Sequence, residues 1–302
     1  MRDIKNKIKR SQIYQKLKKE KTTNEIKERK ARRKQEELQP ELKEQRLKQN
    51  QQKTLETLRE VDETIVQGDE EVEEAEDEFD GYFKNGVEPK ILITTSRRCP
   101  GPVYEFVDEF VSIFPNAEFV KRSSQFEIKK IIEIANSRNY TGNLNLIPDL
   151  IIVNHDKKMP NAVTIVHLPE GPTAHFKLSS IKLNNNIRGH GKLQDYKPEL
   201  ILNNFTTRLG HTIGKMFSSL FPQQPDFKGR QAVTIHNQRD FIFFRRHRYV
   251  FRNGEKVDIQ EIGPRFTLKL RWLQNGLFDT KYGVFEWVHK PELDTSRRKF
   301  HL

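Results

Sequence analysis

Apolar and polar residues follow two regular periods from about residue 89 onwards. Short apolar runs predict strands, and apolar residues that recur every three to four positions predict helices. In the first half, the predicted strands are 90–96, 117–120, 148–156 and 161–172, and the predicted helices are 101–114 and 123–139. Pro102 suits the first turn of one helix, and a serine cap starts the other. This β-α-β-α-β-β order is typical of an α/β layer structure.

A second half of similar size follows a polar and basic connection at residues 179–199. It contains a predicted amphipathic helix at 205–221 and predicted strands at 231–237, 239–252 and 265–272. We therefore predict an α/β fold of two similar halves, at about 89–178 and 200–276. Such an arrangement is the pattern of an internal structural duplication.

The dipeptide Asn253-Gly254 lies between two strand-like runs and predicts a type I′ hairpin turn. Gly263-Pro264 predicts a bulge, after which the pairing can slip by one residue. A two-residue turn sets the pairs Tyr249 with Asp258, Arg246 with Glu261, and Phe241 with Phe266.

The strand from Arg265 to Trp272 alternates strictly between apolar and polar residues. One predicted face is apolar and reads as half-buried; it carries Phe266, Leu268, Leu270 and Trp272. The other face carries Arg265, Thr267, Lys269 and Arg271, and thus three cations and no anion. A face of this charge predicts an anionic partner.

Charge is unevenly distributed along the chain. Residues 1–60 hold 20 Lys and Arg against 10 Asp and Glu, residues 61–80 hold 11 acids and no base, and the remainder holds 34 bases against 21 acids. The first part is rich in strong helix formers, but its apolar residues are too sparse for a coiled-coil seam. We predict a helical or disordered basic arm at 1–60 and an acidic linker at 61–88. Lys27–Lys34 suits a nuclear-localisation signal or a nucleic-acid patch, and the alternative is a solvated charged helix.

The remaining boundaries are a domain at 89–290 and a basic C-terminal tail at 291–302. The sequence has one cysteine, Cys99, which excludes an internal disulfide and fits a reducing compartment. It has no apolar run of the ~18 residues that span a bilayer and no signal-peptide core, so we expect a soluble, intracellular protein without a membrane partner.

No motif of a known catalytic class occurs in the sequence: it lacks a phosphate-binding P-loop, a dinucleotide-binding turn, a zinc-protease motif and a nucleophile elbow. The nine histidines are scattered. The glycine-rich segment at 188–192, with Arg188 and Lys192, suits either a phosphate cradle or a flexible loop. We expect a protein that is not an enzyme and that uses no cofactor and no metal.

Residues 239–252, RDFIFFRRHRYVFR, combine five arginines and a histidine with five aromatic residues. Guanidinium groups pair with phosphates, and aromatic rings stack on unpaired bases, so this composition suits RNA. The alternative is that the phenylalanines are core residues and the arginines only solvate a sheet edge. We expect most of the phenylalanines to be buried, but the surplus of arginine still indicates an anionic partner.

The motif GRQAVTIHNQRDFIFFRRHRYVFR, followed by VDIQEIGPRFTLKL, resembles the signature of the Brix family. The resemblance covers about residues 88–302. It implies two α/β halves, each like the anticodon-binding domain of certain aminoacyl-tRNA synthetases, and binding of pre-ribosomal RNA in the nucleolus without catalysis. It also implies a dedicated protein partner among the assembly factors. One branch of the family is resembled more closely still, through the motifs GPTAHFKLSS, ILNNFTTRLGHTIGKMFSSLFP and KYGVFEWVHKPELDTSRRKFHL. This closer resemblance implies large-subunit (60S) assembly and rRNA maturation beside other pre-60S proteins.

The resemblance places the RNA-binding segment on the hairpin from about Ile242 to Ile259. Together with the basic strand and the glycine-rich segment, the predicted RNA-binding residues are Arg239, Arg245, Arg246, His247, Arg248, Tyr249, Arg252, Lys256, Arg265, Lys269, Arg271, Arg188 and Lys192. The aromatic residues at 277–288 suit either a protein-partner surface or packing on the rest of the domain at 89–290. The alternatives are a Brix-type factor of the small-subunit processome and a DNA-binding regulator.

Overall fold

The computed structural model describes residues 6–50, 53–54, 57–60, 64–66, 79–85, 88–140, 148–252, 256–296 and 298–302. It divides the chain into two compact units, Met1–Arg59 and Glu60–Leu302. No helix among these residues has the length and apolar character needed to cross a membrane.

The first unit is helical, which confirms the helical alternative for the basic arm. Helix α1 spans Lys7–Leu38, and the side chain of Asn6 caps it by accepting from the backbone N–H groups of Ile8 and Lys9. It ends before Pro40 because a residue that precedes proline is disfavoured in the helical region, and α2 (Pro40–Gln49) begins with that proline. Helix α1 has no buried residues.

The second unit is built on one continuous sheet with the strand order β2-β1-β3-β4-β5-β10-β8-β7-β6, to which β11 adds beside β10 and β9 beside β8. The strands are β1 Lys90–Thr95, β2 Ala117–Phe119, β3 Pro148–Asp156, β4 Met159–His167, β5 Thr173–Lys182, β6 Glu199–Asn203, β7 Gln231–Gln238, β8 Phe241–Arg252, β9 Lys256–Glu261, β10 Arg265–Asn275 and β11 Val284–Val288. The helices are α3 Asp80–Asn85, α4 Gly101–Val111, α5 Ile128–Tyr140 and α6 Arg208–Ser219, with short 3₁₀ turns at Asn184–Asn186 and Pro291–Thr295.

The two halves have matching strand arrangements. In the first half, β1 and β3 are parallel, and β3, β4 and β5 are antiparallel neighbours. In the second half, β6 and β7 are parallel, and β7, β8 and β10 are antiparallel neighbours. The halves join edge to edge through the antiparallel pair β5 and β10. The predicted fold of two similar α/β halves is therefore confirmed.

The main core lies on one face of the sheet, which we call the inner face. Helices α4 and α6 cover it with residues such as Phe106 and Phe217, which pack with Ile151 of β3 and Phe266 of β10. Helix α5 packs on the opposite, outer face of the first half, against a second cluster that includes Leu150 and Ile152 of β3. Alternation along each strand produces this division, since adjacent residues point to opposite faces.

The second unit, which we call the body, begins earlier than the predicted domain start at residue 89. Part of the predicted linker is folded, because Phe79 and Tyr82 beside and within α3 are buried and the Tyr82 hydroxyl donates to the backbone oxygen of Phe221 at 2.9 Å. Ile65 also forms an isolated antiparallel bridge with Thr207. Residues 61–63, 67–78 and 86–87 of that predicted linker lie outside the described residues.

Residues 291–302, predicted as a tail, pack on the body. Phe300 and Leu302 are buried, and the backbone oxygen of His301 accepts from the Thr207 hydroxyl at 2.7 Å. Asp240 Oδ1 accepts from the backbone N–H groups of His301 and Leu302 at 2.8 and 2.9 Å. The sequence signal was charge alone, which does not reveal these backbone contacts.

The predicted hairpin register is wrong by one residue. Tyr249 pairs with Ile259, not Asp258, and Glu261 pairs with His247, not Arg246. The pairing of Arg252 with Lys256 leaves three residues between the strands, whereas the predicted turn requires two. The Asn253-Gly254 turn itself lies outside the described residues.

The register shifts further after Gly263-Pro264, so that Phe266 pairs with Phe244 and not with Phe241. A second irregularity in β10 lies between Leu270 and Trp272. It places Trp272 opposite His175, on the outer face, and Leu273 takes the next core position. The prediction that Trp272 shares the apolar face of Phe266 is therefore wrong.

Candidate nucleic-acid interface

Strand β8 extends beyond the start of its antiparallel neighbour β7, whose first residue, Gln231, pairs with Arg248. From Tyr249 to Arg252, β8 is paired with β9 alone. We call residues 248–252 of β8 and 256–260 of β9 the ribbon. Most of the ribbon's side chains are exposed, so both of its faces are accessible.

The ribbon has two chemically different faces because successive residues alternate. One face continues the inner side of β8 and carries three exposed cations, Arg248, Arg252 and Lys256, together with Asp258, which forms an ion pair with Arg252. The opposite face carries exposed apolar residues: Phe251 is 58% exposed, Val257 46% and Ile259 65%. The cationic face can contact phosphates, while the apolar face can contact bases or protein.

The loop that carries Arg188 and Lys192 is attached to β9. Gln260 Nε2 donates to the backbone oxygen of Gly189 at 3.3 Å, and the N–H of Gly191 donates to the backbone oxygen of Glu261 at 2.9 Å. Gln260 pairs with Arg248 and shares its face. The structure therefore brings Arg188 and Lys192, both exposed, to the cationic side of the ribbon.

Arg246 lies on the same face of β8 as Arg248 but is only 1% exposed. Its guanidinium donates to Gln231 Oε1 at 2.9 Å, to the Ser112 hydroxyl at 3.2 Å and to the backbone oxygen of Gln194 at 3.3 Å. Burial lowers the pKa of Arg246 to about 10. The prediction that Arg246 contacts RNA is inconsistent with this position, because no phosphate can reach the side chain.

Four predicted residues lie on the outer face of the sheet near the centre. Arg245 Nη1 donates to the backbone oxygen of Phe244 at 2.8 Å, and Arg265 forms an ion pair with Glu261. Burial lowers the pKa of Arg245, and the charge of Arg265 lowers it further. Burial also lowers the pKa of the neighbouring His247. Lys269 completes the group and lies 5.3 Å from the centre of the Phe241 ring.

Two acidic side chains and a histidine contact the cations of this outer face. The strand predicted at 265–272 was expected to present a face without an anion. Glu261 neutralises Arg265, and Asp294 accepts from Lys269 Nζ at 3.3 Å. Arg271 Nη1 lies 3.1 Å from His289 Nδ1. The sequence did not reveal these pairs because Glu261 was assigned to Arg246 and residues 291–302 were assigned to a tail.

Of the other two predicted residues, Arg239 lies at the end of β8 away from the ribbon, and Tyr249 is hydrogen-bonded to Glu199. Arg239 is exposed in the turn between β7 and β8, at the end of β8 opposite to the ribbon. Both turn residues, Arg239 and Asp240, have positive φ (56° and 63°), as a type I′ turn requires. The hydroxyl of Tyr249 hydrogen-bonds Glu199, which raises the pKa of Tyr249.

The structure adds Lys177, which the sequence prediction omitted. Lys177 is exposed on β5 and pairs with Lys269 across the junction of the halves. The alternation of Ala174, Phe176 and Leu178 with His175 and Lys177 signals a strand with a basic outer face. That segment was not assigned to a strand, because the last strand predicted in the first half ended at residue 172.

The aromatic segment near β11 is divided between the core and the surface. Trp287 is half-buried and packs against the main core, whereas Tyr282 is 86% exposed. Among the described residues, no cluster of three or more His, Cys, Asp or Glu is arranged to hold a metal ion.

Comparisons with known proteins identify close relatives. The model of the Brix domain matches residues 96–272. The chain is 55% identical over 255 residues to ribosome production factor 1 of Xenopus laevis, which covers 83% of this chain and 72% of that protein. It is 47% identical over 302 residues to ribosome production factor 1 of Saccharomyces cerevisiae, covering 99% and 98% of the two chains.

A crystal structure of a probable ribosomal biogenesis protein from Aeropyrum pernix K1 aligns with a TM-score of 0.42 and 17% identity. The alignment covers 60% of this chain and 95% of that one.

Proposed function

The chain belongs to the Brix-domain family, and from this membership we propose that it is a ribosome production factor that binds pre-ribosomal RNA through the ribbon. It acts without catalysis, in the nucleolus, during assembly of the large subunit and maturation of its rRNA. It works beside a dedicated protein partner and other pre-60S proteins. The shared name of the relatives supports ribosome production, and the family resemblance supports the finer assignments.

One observation carries the RNA-binding assignment: the ribbon projects past β7 and presents Arg248, Arg252 and Lys256 on one exposed face. When cationic side chains contact the phosphates of a nucleic acid, they displace the counterions bound there. This release supplies sequence-independent affinity. The loop of Arg188 and Lys192 widens the same cationic side. Five cations from two segments thus lie on one side of the ribbon, where they can contact phosphates.

The ribbon's composition favours RNA over DNA. Tyr249 and Phe251 lie on its other face beside Ile259, and aromatic side chains stack on bases that are unpaired. A two-stranded ribbon that read the DNA major groove would need donors and acceptors on the inserted face. The apolar face offers few, since its paired residues include Phe251 with Val257.

The proposed function is tested by purifying the tagged protein after ultraviolet cross-linking, separating particles on a gradient and sequencing the attached RNA. We expect cross-links to large-subunit precursor rRNA and co-sedimentation with large-subunit precursors. Recovery of small-subunit precursors alone would assign the chain to the processome instead. Equal affinity for matched RNA and DNA at the same salt concentration would contradict the RNA preference.

A further inference from the structure

An open groove with a volume of about 540 Å³ lies in the first half of the sheet, outside the ribbon. Its walls come from the turn after β1, the segment before α5, the first turn of α5 and the segment after β10. Four cations and an aromatic ring line it: Arg97, Arg122, Lys129, Lys281 and Phe278. The sequence prediction assigned none of the four cations to a site, and Phe278 belongs to the aromatic segment at 277–288 that was considered as a protein-partner surface.

Two of these cations converge on one backbone atom. Arg97 Nη2 donates to the backbone oxygen of Phe126 at 3.3 Å, and Arg122 Nε donates to the same oxygen at 2.9 Å. A peptide oxygen carries only a partial charge, so it does not neutralise two guanidinium groups. Burial lowers the pKa of Arg122 and the charge of Arg97 lowers it further, while Glu127 acts in the opposite direction. An anion that binds between the two side chains offsets both effects, because an opposite charge favours the charged form of arginine.

The remaining cations are only partly neutralised. Lys129 Nζ lies 3.0 Å from Asp279 Oδ2. The pKa of Asp279 is lowered first by the hydrogen bond from the backbone N–H of Lys281 and then by Lys129, so this carboxylate is charged at neutral pH. Within the described part of the groove, four cations therefore face two acids, Glu127 and Asp279. A net positive charge remains for an anionic ligand.

Aromatic rings connect the groove with the outer face of the sheet. Phe126 is 37% exposed, and Lys130 Nζ lies 5.6 Å from its ring centre. Phe278 lies 6.1 Å from Trp272, which stacks on His175 with ring centres 5.1 Å apart. Rings interleaved with cations suit single-stranded nucleic acid, in which each phosphate is accompanied by a base that can stack. A phosphorylated peptide needs the cations but not the rings.

We propose that this groove binds the phosphodiester backbone of an unpaired RNA segment, with Arg97 and Arg122 gripping the phosphates and Phe126 and Phe278 beside the bases. The inference rests on the proposed function, because it takes RNA as the ligand, and it extends that function to a second contact on the other half of the sheet. An RNA long enough to reach both surfaces is bound more tightly than one that reaches only the ribbon.

The test measures the affinity of the full chain for a single-stranded RNA by fluorescence anisotropy across a salt series. The double variant Arg97→Gln with Arg122→Gln should weaken binding about tenfold and reduce the slope of log K against log salt by about 1.4, at ~0.7 per phosphate. The control variant, Arg98→Gln with Lys228→Gln, removes two exposed cations outside the groove and should change both quantities much less.

A second variant guards against a purely structural effect, since Arg122 is half-buried. Arg97→Lys with Arg122→Lys keeps both charges and should retain most of the wild-type slope. If this lysine variant is as impaired as the glutamine variant, the loss is structural and the groove assignment is wrong.

The ribbon variant Arg248→Gln, Arg252→Gln and Lys256→Gln separates the two proposals. A groove variant that binds as wild type while the ribbon variant is impaired overturns the groove and leaves the proposed function intact. If the groove variant is impaired and the ribbon variant binds as wild type, the groove is supported and the ribbon is not the RNA-binding surface. A groove variant that keeps RNA binding but loses affinity for a phosphoserine peptide overturns RNA as the ligand.

Discussion

Two arginines on one face of β8, two positions apart, have opposite environments. Arg246 is buried where β7 still runs alongside, and Arg248 is exposed where β7 ends. The sequence RRHR presents them as equivalent cations because composition does not show where a neighbouring strand stops. A buried donor must keep its acceptors, whereas an exposed one is available to a ligand. These two residues therefore allow stability and the proposed RNA binding to be tested separately.

Arg246→Gln should lower the free energy of unfolding by about 2–4 kcal/mol, because Gln231 and the backbone oxygen of Gln194 lose buried donors. Arg248→Gln should change it by less than about 0.5 kcal/mol, as at most exposed positions. Urea denaturation measures both. In RNA titrations at a temperature where both variants are folded, only Arg248→Gln should weaken binding, and the opposite pattern would refute this assignment.

Tyr82 gives the body a specific alkaline sensitivity. Burial raises the pKa of its hydroxyl from 10.0 to about 12, with smaller contributions from Asp149 and Glu88. Below pH 10 the hydroxyl is neutral in both states and its contribution to stability is complete. Between pH 10 and 12 the unfolded state loses the proton first, so the contribution is lost as pH rises through the folded-state pKa.

Over that interval Tyr82 should account for a loss of about 2–3 kcal/mol in the free energy of unfolding, at 1.36 kcal/mol per pKa unit. The measurement compares urea midpoints of wild type and Tyr82→Phe between pH 8.5 and 12. The phenylalanine variant should be the less pH-dependent of the two. Parallel curves would show that Tyr82 ionises equally easily in both states.

At the scale of elements, periodicity located most strands and helices but not their edges or partners. β3 and β7 match their predicted spans closely, and β3 contains a continuous apolar run at residues 150–153. Helix α5 begins at Ile128, not at the serine cap predicted for residue 123, and β6 was not predicted as a strand. A five-residue strand on the edge of a sheet is half-exposed and lacks a clear alternating pattern.

Register was beyond the sequence for a related reason. One additional residue in the β8–β9 connection reassigns every cross-strand pair, and neither the composition of the strands nor a dipeptide signal determines it alone. The hairpin of β8 and β9 was predicted from the two strand-like runs on either side of Asn253-Gly254. Its two faces, the burial of Arg246 and the partners of Arg265 and Lys269 required the pairing of the strands.

Helix α3 should contribute to the stability of the body, since Phe79 beside it is fully buried in the main core. Phe79→Ala should lower the free energy of unfolding by about 3–5 kcal/mol, the usual result of emptying a buried phenylalanine site. Consequently, a chain that starts at Pro89 should unfold at lower urea concentration than one that starts at Glu60. Identical midpoints for the two chains would show that α3 is dispensable.

At the scale of the whole molecule, the chain comprises a basic helical unit without buried residues in α1 and a sheet-based unit with its own core. Such a helix has little apolar area to stabilise anything else. Deletion of residues 1–59 should therefore leave the melting temperature of the remaining unit within about 2 °C of that of the full chain. A larger decrease, measured by calorimetry, would show that the body depends on the arm.

The salt dependence of RNA binding tests the ribbon interface most directly. Arg248→Gln, Arg252→Gln and Lys256→Gln together should reduce the slope of log K against log salt by about 2, at ~0.7 per phosphate, and weaken binding across all sequences. Deletion of residues 1–59 should weaken binding less than the arm's excess of bases suggests, since the acidic residues at 61–80 offset part of it. A folded triple variant that keeps the wild-type slope, while the arm deletion abolishes it, would contradict the ribbon as the RNA-binding surface.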